Sequence, residues 1–420
     1  MSGRNGATGV SGRDAGATGV SGRLAAAVDM RFTLARCRAV HVHAPGPDYW
    51  RGFLDADAAA RRSPRFQFSP PWRTVYAREV ESAIVRVQLD DGTVGWGEAT
   101  CPIAPEVVCA LVNRFVAELV VDRTFDDVDA LVDALYDSQR CRGYLAGHLQ
   151  DAVAAVDIAV HDALARRAGC PVSALFDGDA KTVLPCYLSG ARAPTRVERI
   201  ELLHAWAAQG SRAVKVFLRG DHAADLEEFA ALQQAVPALD WWAADALWTC
   251  EAPDVARHVK GALGALSARW LECPMLPEDL DGHAALRRAP GAPIALGEHF
   301  RTPLQVAPWL AAAAVDILQP DIGRTGFVFG RRIHAAAMSR GVSVTPHMGG
   351  ALDIMQAATL HFAAAFPSAW PCEFQGGLAQ RMPGAVRTDW RVGAGGFERP
   401  DTPGLGIAVD EDALQAFIIG

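Results

Sequence analysis

The sequence has few lysines, and it lacks both paired cysteine motifs and long apolar runs. Its net charge is −8 at pH 7, so it has no general attraction to nucleic acid or to an anionic membrane, and we expect neither as a partner. No segment approaches the roughly 20 unbroken apolar residues that a membrane helix needs. An anionic substrate would therefore need local positive charge or a metal ion.

The number and spacing of the cysteines bear on the cellular compartment of the protein. The nine cysteines are an odd number, scattered from Cys37 to Cys372, and none form a Cys-x-x-Cys pair. This pattern is typical of reduced thiols and not of a disulfide framework, and it indicates a cytoplasmic protein.

The first 28 residues differ in composition from the rest. Gly6–Arg13 reads GATGVSGR, and the same segment recurs at Gly16–Arg23. It is rich in Gly and Ser and has no apolar run of the kind that signal peptides contain. We therefore predict a disordered extension over residues 1–28. A transit peptide is the alternative, because the segment contains arginines and few acids.

Residues 29–150 have the pattern of a small antiparallel sheet followed by helices, which predicts an α+β domain. In chain order we interpret Phe32–Ala35 and Ala39–Val42 as one hairpin arm, Pro45–Arg73 as a long loop, Ser82–Leu89 as a strand, Asp90–Gly92 as a turn, Thr93–Glu98 as the returning strand, and Pro105–Leu135 and Leu149–Arg167 as helices.

Beyond Lys181, short apolar runs alternate with helical stretches. Eight such strands predict a parallel (β/α) barrel, because buried parallel strands are apolar on both faces. The runs are Val183–Ser189, Ala213–Leu218, Trp241–Asp245, Arg269–Pro274, Pro293–Glu298, Val315–Asp321, Val342–His347 and Trp370–Phe374.

Polar residues lie at or near the ends of most of these runs, at intervals of about one βα unit. They are Lys215, Asp245, Glu272, Glu298, Asp321, His347 and Glu373. In a barrel the C-terminal ends of the strands converge on one mouth, where active sites lie. Capping of the following helix is the alternative for one or two of them. Glu and His are poor N-caps, however, so we interpret the set as a site.

Three of the five carboxylates in this set indicate a metal site. Asp245, Glu272 and Glu298 would repel one another without a counter-ion. A hard divalent cation resolves the repulsion, and ligands that are all oxygen favour magnesium over zinc. We therefore predict one Mg²⁺ per active site, with open positions for a substrate carboxylate and with charge to stabilise the anion that forms when the α-proton leaves.

His347 and Asp321 fit a catalytic dyad, in which the carboxylate orients the imidazole and raises its basicity. The alternative for His347 is a buried structural histidine, but its position in the loop Pro346–Gly350, after an apolar run, favours a site. Glu373 is a candidate hydrogen-bond donor to an enolate oxygen if it is protonated, with a structural role as the alternative.

The order and spacing of several motifs resemble the enolase superfamily and, within it, the mandelate racemase-like group. The resemblance extends from about residue 30 to the C-terminus. Its motifs are Gly95–Glu98 in the N-terminal hairpin, Ala154–Asp162 in the helix before the barrel, Asp245–Trp248, Trp270–Pro274 and Gly297–Glu298 at the metal ligands, Gln319–Asp321 and Thr345–His347 at the dyad, and Arg399–Gly406 in the tail.

This resemblance implies an α/β fold, a modified TIM barrel of the type (β/α)7β with an α+β capping domain formed by N- and C-terminal segments. It places the capping domain at residues 29–150, the barrel at 151–385 and the returning C-terminal segment at 386–420. It also implies a homo-oligomer. Capping loops close over the site in this family, so Arg51, Arg65 and Arg73 are candidate anion contacts, with solvated loop arginines as an equal alternative.

The positions of the lysines narrow the choice among branches of the family. Branches with a basic lysine on or near the sixth barrel strand are excluded, because the chain has no lysine after Lys260. The mandelate racemase-like group often has Lys-x-Lys at the end of the second strand, but here Phe217 stands where the second lysine would be. Two-base racemisation is therefore disfavoured. Lys215 would then bind the substrate carboxylate or adjust the electrostatics of the site. If the motif is matched one residue out of register, Lys215 would instead be the base.

We therefore expect an acid-sugar dehydratase, which is a hydro-lyase. His347 would remove the proton at carbon 2 of an aldonate or aldarate, and loss of water would give a 2-keto-3-deoxy acid. The alternatives are a racemase or epimerase of a 2-hydroxy acid, with Lys215 as the second base, and a non-catalytic metal-binding relative.

Overall fold

The computed structural model describes residues 28–46, 50, 63, 65–68, 74–176, 180–350, 352–366, 368, 370–393 and 396–419. Residues 1–27 of the predicted disordered extension lie outside these ranges, and so does most of the predicted loop between residues 45 and 73. Among the described helices, none has the length and apolar character needed to cross a membrane.

The N-terminal part of the fold contains a four-stranded antiparallel sheet. Its strands, in spatial order, are β5 (Val94–Ala99), β4 (Val80–Leu89), β1 (Phe32–Ala44) and β6 (Thr124–Phe125). The two segments predicted as one hairpin arm are parts of the single strand β1, which pairs with β4 along its length. β2 (Phe66–Phe68) and β3 (Val75–Ala77) form a small hairpin. The prediction of a loop is wrong at β2, because a strand of three residues is too short to give an alternating pattern.

Four helices follow the first strands: α1 (Pro105–Leu111), α2 (Ala117–Val120), α3 (Val128–Arg140) and α4 (His148–Ala168), with a π-helical turn at Val112–Val116 between α1 and α2. The single helix predicted over residues 105–135 is therefore wrong, because β6 interrupts it. Asp122 takes a left-handed conformation (φ 58°) after α2, and the Asp127 side chain accepts from Ala130 N to begin α3. Aspartate is favoured at both positions.

Helix α4 is almost wholly buried because it lies between the sheet and the barrel. Two glycines of β5 allow its close approach. A Cβ built on Gly95 would lie 2.1 Å from the Ala159 carbonyl oxygen, and one on Gly97 would lie 2.0 Å from that of Ala155. The Gly-x-Gly spacing thus reflects a backbone-to-backbone contact, which no other residue type permits.

The second part of the fold is an eight-stranded parallel sheet that curls into a barrel. In chain order the strands are β8 (Cys186–Ser189), β9 (Ala213–Phe217), β10 (Trp241–Asp245), β11 (Leu271–Glu272), β12 (Ile294–Leu296), β13 (Ile317–Leu318), β14 (Ser343–Val344) and β15 (Cys372–Phe374). Each pairs with its neighbour along the chain from β8 to β14, and β15 pairs with β8. The Thr345 hydroxyl donates to the Pro371 carbonyl at 3.0 Å where β14 faces β15.

Seven helices connect these strands, which confirms the (β/α)7β architecture. They are α5 (Arg196–Ala208), α6 (His222–Ala235), α7 (Pro253–Ala265), α8 (Leu280–Arg288), α9 (Pro303–Ala311), α10 (Ile322–Met338) and α11 (Asp353–Ala365). The first predicted run is divided, however. Its residues Val183–Leu184 form a separate strand, β7, because Pro185 interrupts the hydrogen-bond ladder before β8.

The C-terminal segment returns to the N-terminal sheet. It contains β16 (Val386–Thr388), β17 (Arg391–Gly393), β18 (Gly396–Glu398), β19 (Ile407–Val409) and α12 (Glu411–Leu414); β16 pairs with β19, and β18 lies between β17 and β7. Glu411 accepts from Arg38 and Arg86 of the sheet, each at 2.9 Å, and Ile419 N donates to the His41 carbonyl at 2.9 Å. Within the described residues, the capping domain therefore contains both the N-terminal sheet and the C-terminal segment, whereas the predicted domain bounds stay a prediction.

Candidate active site

Three neighbouring strands of the barrel bring the predicted metal ligands together. Asp245 ends β10 and Glu272 ends β11, and the two are direct partners in the parallel register. Glu298 lies just beyond β12. Asp245 and Glu272 are buried and Glu298 is half-buried, because the C-terminal ends of parallel strands meet at one mouth.

Lys215 of β9 lies among three of the predicted residues. Its Nζ is 2.5 Å from Glu272 Oε1, 3.0 Å from Glu373 Oε1 and 3.7 Å from Asp245 Oδ2. Burial alone lowers the pKa of this ammonium, but Glu272 and then Glu373 outweigh it, so the pKa is raised well above its usual value. Lys215 is therefore a buried cation that holds carboxylates of three strands together.

Other donors orient Glu272. Trp270 Nε1 donates to its Oε2 at 3.0 Å and Gln319 Nε2 donates to the same oxygen at 2.7 Å. Both donors belong to the motifs quoted above, although the sequence alone does not predict what they bind. They fix the position of a carboxylate that would ligate the metal.

His347 and Asp321 meet as predicted. His347 Nδ1 is 2.8 Å from Asp321 Oδ2, and the other ring nitrogen, Nε2, is 2.9 Å from Glu298 Oε2. Burial lowers the pKa of the imidazole, but the charges of Glu298 and Glu373 and the bond to Asp321 outweigh it, so the pKa is raised. The other oxygen of Asp321 accepts from the Thr100 hydroxyl at 2.8 Å. Thr100 follows β5 of the capping domain, and the sequence analysis did not identify it.

The acidic cluster fits a divalent cation. The ligand atoms of Glu272, Glu298 and His347 all lie within 4.8 Å of one another. Burial raises the pKa of Asp245 well above its usual value, and repulsion from Glu272 and Glu298 adds to the effect. Buried carboxylates that repel in this way are stabilised by a hard cation with oxygen ligands. His347 was expected only in the dyad, yet it also borders this cluster.

Glu373 contacts groups of two other strand ends. Its Oε2 accepts from Met348 N at 2.9 Å, and its Oε1 contacts Lys215. Burial raises the pKa of this carboxyl, but Lys215 and then His347 outweigh burial, so the pKa is lowered. Glu373 therefore accepts hydrogen bonds and ties Lys215 to β15, and its role as a protonated donor stays a prediction.

Comparison with known families identifies the wider group. Residues 198–413 match the model described as enolase C-terminal domain-like, and residues 61–177 match the mandelate racemase / muconate lactonizing enzyme N-terminal domain. The chain belongs to the enolase superfamily. Its two matched regions correspond to the barrel and to the capping part of the fold.

Relatives with described activities act on sugar acids. The chain is 29% identical to D-galactarolactone cycloisomerase from Agrobacterium fabrum, over 80% of this chain and 90% of that protein. It is 26% identical to L-rhamnonate dehydratase from Saccharopolyspora erythraea, over 88% of this chain and 93% of that protein. A solved structure of an enolase superfamily member from Agrobacterium tumefaciens is 30% identical to this chain and matches it with a TM-score of 0.84. The match covers 92% of this chain and 99% of that one.

Phe217 stands where the Lys-x-Lys pattern of the mandelate racemase-like group would have its second lysine. Lys215 and Phe217 are two residues apart on β9, so both side chains point into the barrel, with Phe217 nearer the mouth. The Phe217 ring lies beside Trp50 and Tyr76 from the capping part, with a ring separation of 5.8 Å from Trp50. Lys215 itself lies in the layer of the carboxylates, and its role as a second base or as a carboxylate-binding group stays a prediction.

A cavity of about 140 Å³ opens above these groups. Its lining includes the predicted residues Lys215, Asp245, Glu298, His347 and Glu373, and also Phe217. It further includes Trp50, Tyr76, Arg192, Arg324 and Gln375, which sequence reasoning missed as site residues. Gln375 had one available signal, since it is two residues beyond Glu373 at the end of β15 and so points to the same side.

The three predicted loop arginines have different outcomes. Arg51 and Arg73 lie outside the described residues. Arg65 pairs with Glu81 at 3.2 Å and lines a neighbouring pocket. The structure therefore places Arg65 away from the carboxylate cluster, and the cations at the described cavity come from the barrel instead.

Proposed function

We propose that this enzyme removes the proton next to the carboxylate of a sugar acid, with Mg²⁺ held by Asp245, Glu272 and Glu298, and that loss of water then gives a 2-keto-3-deoxy acid. The observation that supports this most directly is the placement of His347. Its Nε2 lies 2.9 Å from Glu298, a candidate metal ligand, while Asp321 holds the opposite nitrogen at 2.8 Å. A base fixed beside a cation site suits abstraction of an α-proton.

The residues of this chain have distinct roles in that reaction. His347 Nε2 accepts the proton from carbon 2, and Asp321 keeps the imidazole oriented and stabilises its positive charge. His347 then returns a proton to the hydroxyl leaving carbon 3; the carbon–oxygen bond breaks, and the enol product tautomerises to the keto acid. When bound by Asp245, Glu272 and Glu298, magnesium, the metal of this superfamily, would supply charge neutralisation for the substrate carboxylate.

Lys215 and Phe217 support a mechanism with one base. Lys215 contacts three carboxylates in the layer below the cavity, and Phe217 brings no acid or base to the face on which a second lysine would act. Racemisation needs proton transfer on both faces of carbon 2, so we disfavour a racemase or epimerase. A non-catalytic binding role is disfavoured because the dyad and the carboxylate cluster are complete.

A second candidate reaction follows from the 29% identical relative named a D-galactarolactone cycloisomerase. Opening a lactone by β-elimination begins with the same α-proton abstraction, but the leaving group is the ring oxygen and not hydroxide. The product then has the same composition as the substrate, whereas a dehydratase product is lighter by one water.

The test is an assay of the purified chain with Mg²⁺ against a panel of aldonic and aldaric acids and their lactones. Formation of 2-keto acid that EDTA abolishes, together with a product lighter by one water, supports the dehydratase. A product of unchanged mass from a lactone favours the cycloisomerase. Deuterium incorporation with inversion in recovered substrate, without keto acid, would instead establish a racemase. No α-proton exchange with any acid would refute the proposed function.

A further inference from the structure

A second cationic group, Arg192, lies above the reacting layer of the cavity. It follows β8, and its guanidinium carbon is 5.3 Å from the ring centroid of Phe217 and 5.3 Å from that of Trp50. Phe217 is two residues beyond Lys215 on β9, which places it about 7 Å nearer the barrel mouth. Arg192 therefore lies about one side-chain layer away from the carboxylates that would hold the metal.

The position of Arg192 is set by a chain of hydrogen bonds. Its Nη2 donates to Gln375 Oε1 at 2.8 Å. Gln375 is itself held, because its Nε2 donates to the Met348 carbonyl at 3.0 Å and to the Ser189 hydroxyl at 3.2 Å. A guanidinium oriented over aromatic faces loses little further conformational entropy on binding, and its planar fork matches a carboxylate.

The other charged groups of the described cavity have different tasks. Lys215 contacts Glu272, Glu373 and Asp245, and Arg324 donates to the carbonyl of Glu298 at 2.9 Å, beside the candidate metal. These two cations thus belong to the reacting end of the cavity.

The acidic groups of the cavity rim have partners in the capping part. Glu81 pairs with Arg65 at 3.2 Å and lies 2.9 Å from His41, and Glu79 lies 3.1 Å from His43. The Arg65 guanidinium therefore compensates the charge of Glu81, which opposes an anion beside Arg192 less than an isolated carboxylate would.

We propose that Arg192 binds a second carboxyl group at the end of the substrate remote from the reacting carbon, so that the substrate is a sugar diacid, with the remote carboxyl free or in a lactone. This inference rests on the proposed function, because the first carboxylate is the one held at the metal. Arg192 is thus a specificity-determining residue, and Gln375 positions it.

The test compares matched pairs of an aldarate and the aldonate of the same configuration, with the full chain loaded with Mg²⁺. The wild type is expected to have a kcat/KM at least tenfold higher for the diacid. Arg192→Met is expected to lower the diacid-to-monoacid ratio of kcat/KM about 100-fold, because a desolvated carboxylate loses its ionic partner. Arg192→Lys, which keeps the charge but not the planar fork, should lower the ratio less.

Arg257→Met is the matched control, because Arg257 is an exposed arginine of α7 and its loss should leave the ratio unchanged. A wild type that prefers monoacids, or an Arg192→Met variant that loses both activities equally, would overturn the inference and indicate a structural role. If Arg192→Met does not fold, competitive inhibition of the wild type by matched acids decides, since equal inhibition by diacid and monoacid contradicts the proposal.

Failure of the proposed function is distinguishable from failure of this inference. If no sugar acid exchanges its α-proton, the proposed function fails. The thermal shift of the Mg²⁺-loaded wild type with each matched acid then still tests Arg192: a larger shift with diacids supports the subsite, and equal shifts overturn it.

Discussion

At the scale of single residues, both nitrogens of His347 have assigned neighbours. Nδ1 contacts Asp321, which fixes the ring, and Nε2 points toward Glu298 and the cavity. This arrangement separates the group that orients the base from the group that would hold the metal. Removing the imidazole should therefore remove proton transfer and leave metal binding largely intact.

We expect His347→Asn to lower the rate of α-proton exchange by about 1,000-fold, in line with the loss of a positioned general base. Exchange is measured in heavy water by NMR, and Mg²⁺ affinity by calorimetry should change little. His258→Asn on the surface of α7 is the control. A variant that kept full exchange would show that another group is the base.

At the scale of elements, the ends of β8 and β9 depend on a glycine. Gly190 follows β8 with φ at +63°, and a Cβ built on it would lie 2.3 Å from the Phe217 ring. The position therefore needs glycine for two reasons: the left-handed backbone and the space taken by the aromatic ring. That ring in turn supports Arg192.

Gly190→Ala is expected to lower the free energy of unfolding by about 2 to 4 kcal/mol, through backbone strain together with displacement of Phe217. Gly169→Ala is the matched control, since Gly169 has φ at +67° and nothing within 4 Å of a built Cβ. Urea unfolding of both variants separates the two contributions. Equal losses would mean that the contact with Phe217 has no energetic weight.

At the scale of the whole molecule, the capping domain supports the barrel site directly. Thr100, just after β5, donates to Asp321 through its hydroxyl and to the Gly323 carbonyl through its amide, at 2.8 and 2.9 Å. Nearby, Glu98 accepts from Leu352 N and Met355 N at the start of α11. The dyad is thus oriented from both parts of the fold.

Thr100→Val should reduce kcat about tenfold with little change in KM, because Thr100 positions Asp321 and does not touch the substrate. Thr100→Ser keeps the hydroxyl and should retain most activity. Steady-state kinetics with the best sugar acid, together with the pH profile of kcat, measures the effect. A change in KM alone would argue against a positioning role.

A buried histidine makes the free energy of unfolding of the whole molecule depend on pH. His361 of α11 lies beside Ser173, with 3.3 Å between Nδ1 and the hydroxyl. Burial lowers its pKa to about 3, despite a hydrogen bond to the Leu405 backbone. Between pH 6.5 and about 3 the unfolded chain binds the extra proton, so His361 makes stability fall as the pH is lowered and contributes no pH dependence above 6.5.

From pH 6.5 to pH 5 this histidine should cost about 2 kcal/mol of unfolding free energy, at roughly 1.4 kcal/mol per pH unit. The measurement compares urea midpoints of the wild type and His361→Gln at the two pH values. The variant should lose less stability over this interval. Parallel losses in the two proteins would contradict a buried neutral histidine.

The sequence alone determined the barrel, because buried parallel strands and their intervening helices each have a local pattern, and it predicted the seven polar strand ends. It could not determine that Glu373 contacts Lys215, or that Thr100 and Arg192 border the site. Those roles depend on contacts between residues far apart in the chain. Tertiary structure decided them, because a carboxyl's charge state and an arginine's reach depend on which groups surround them after folding.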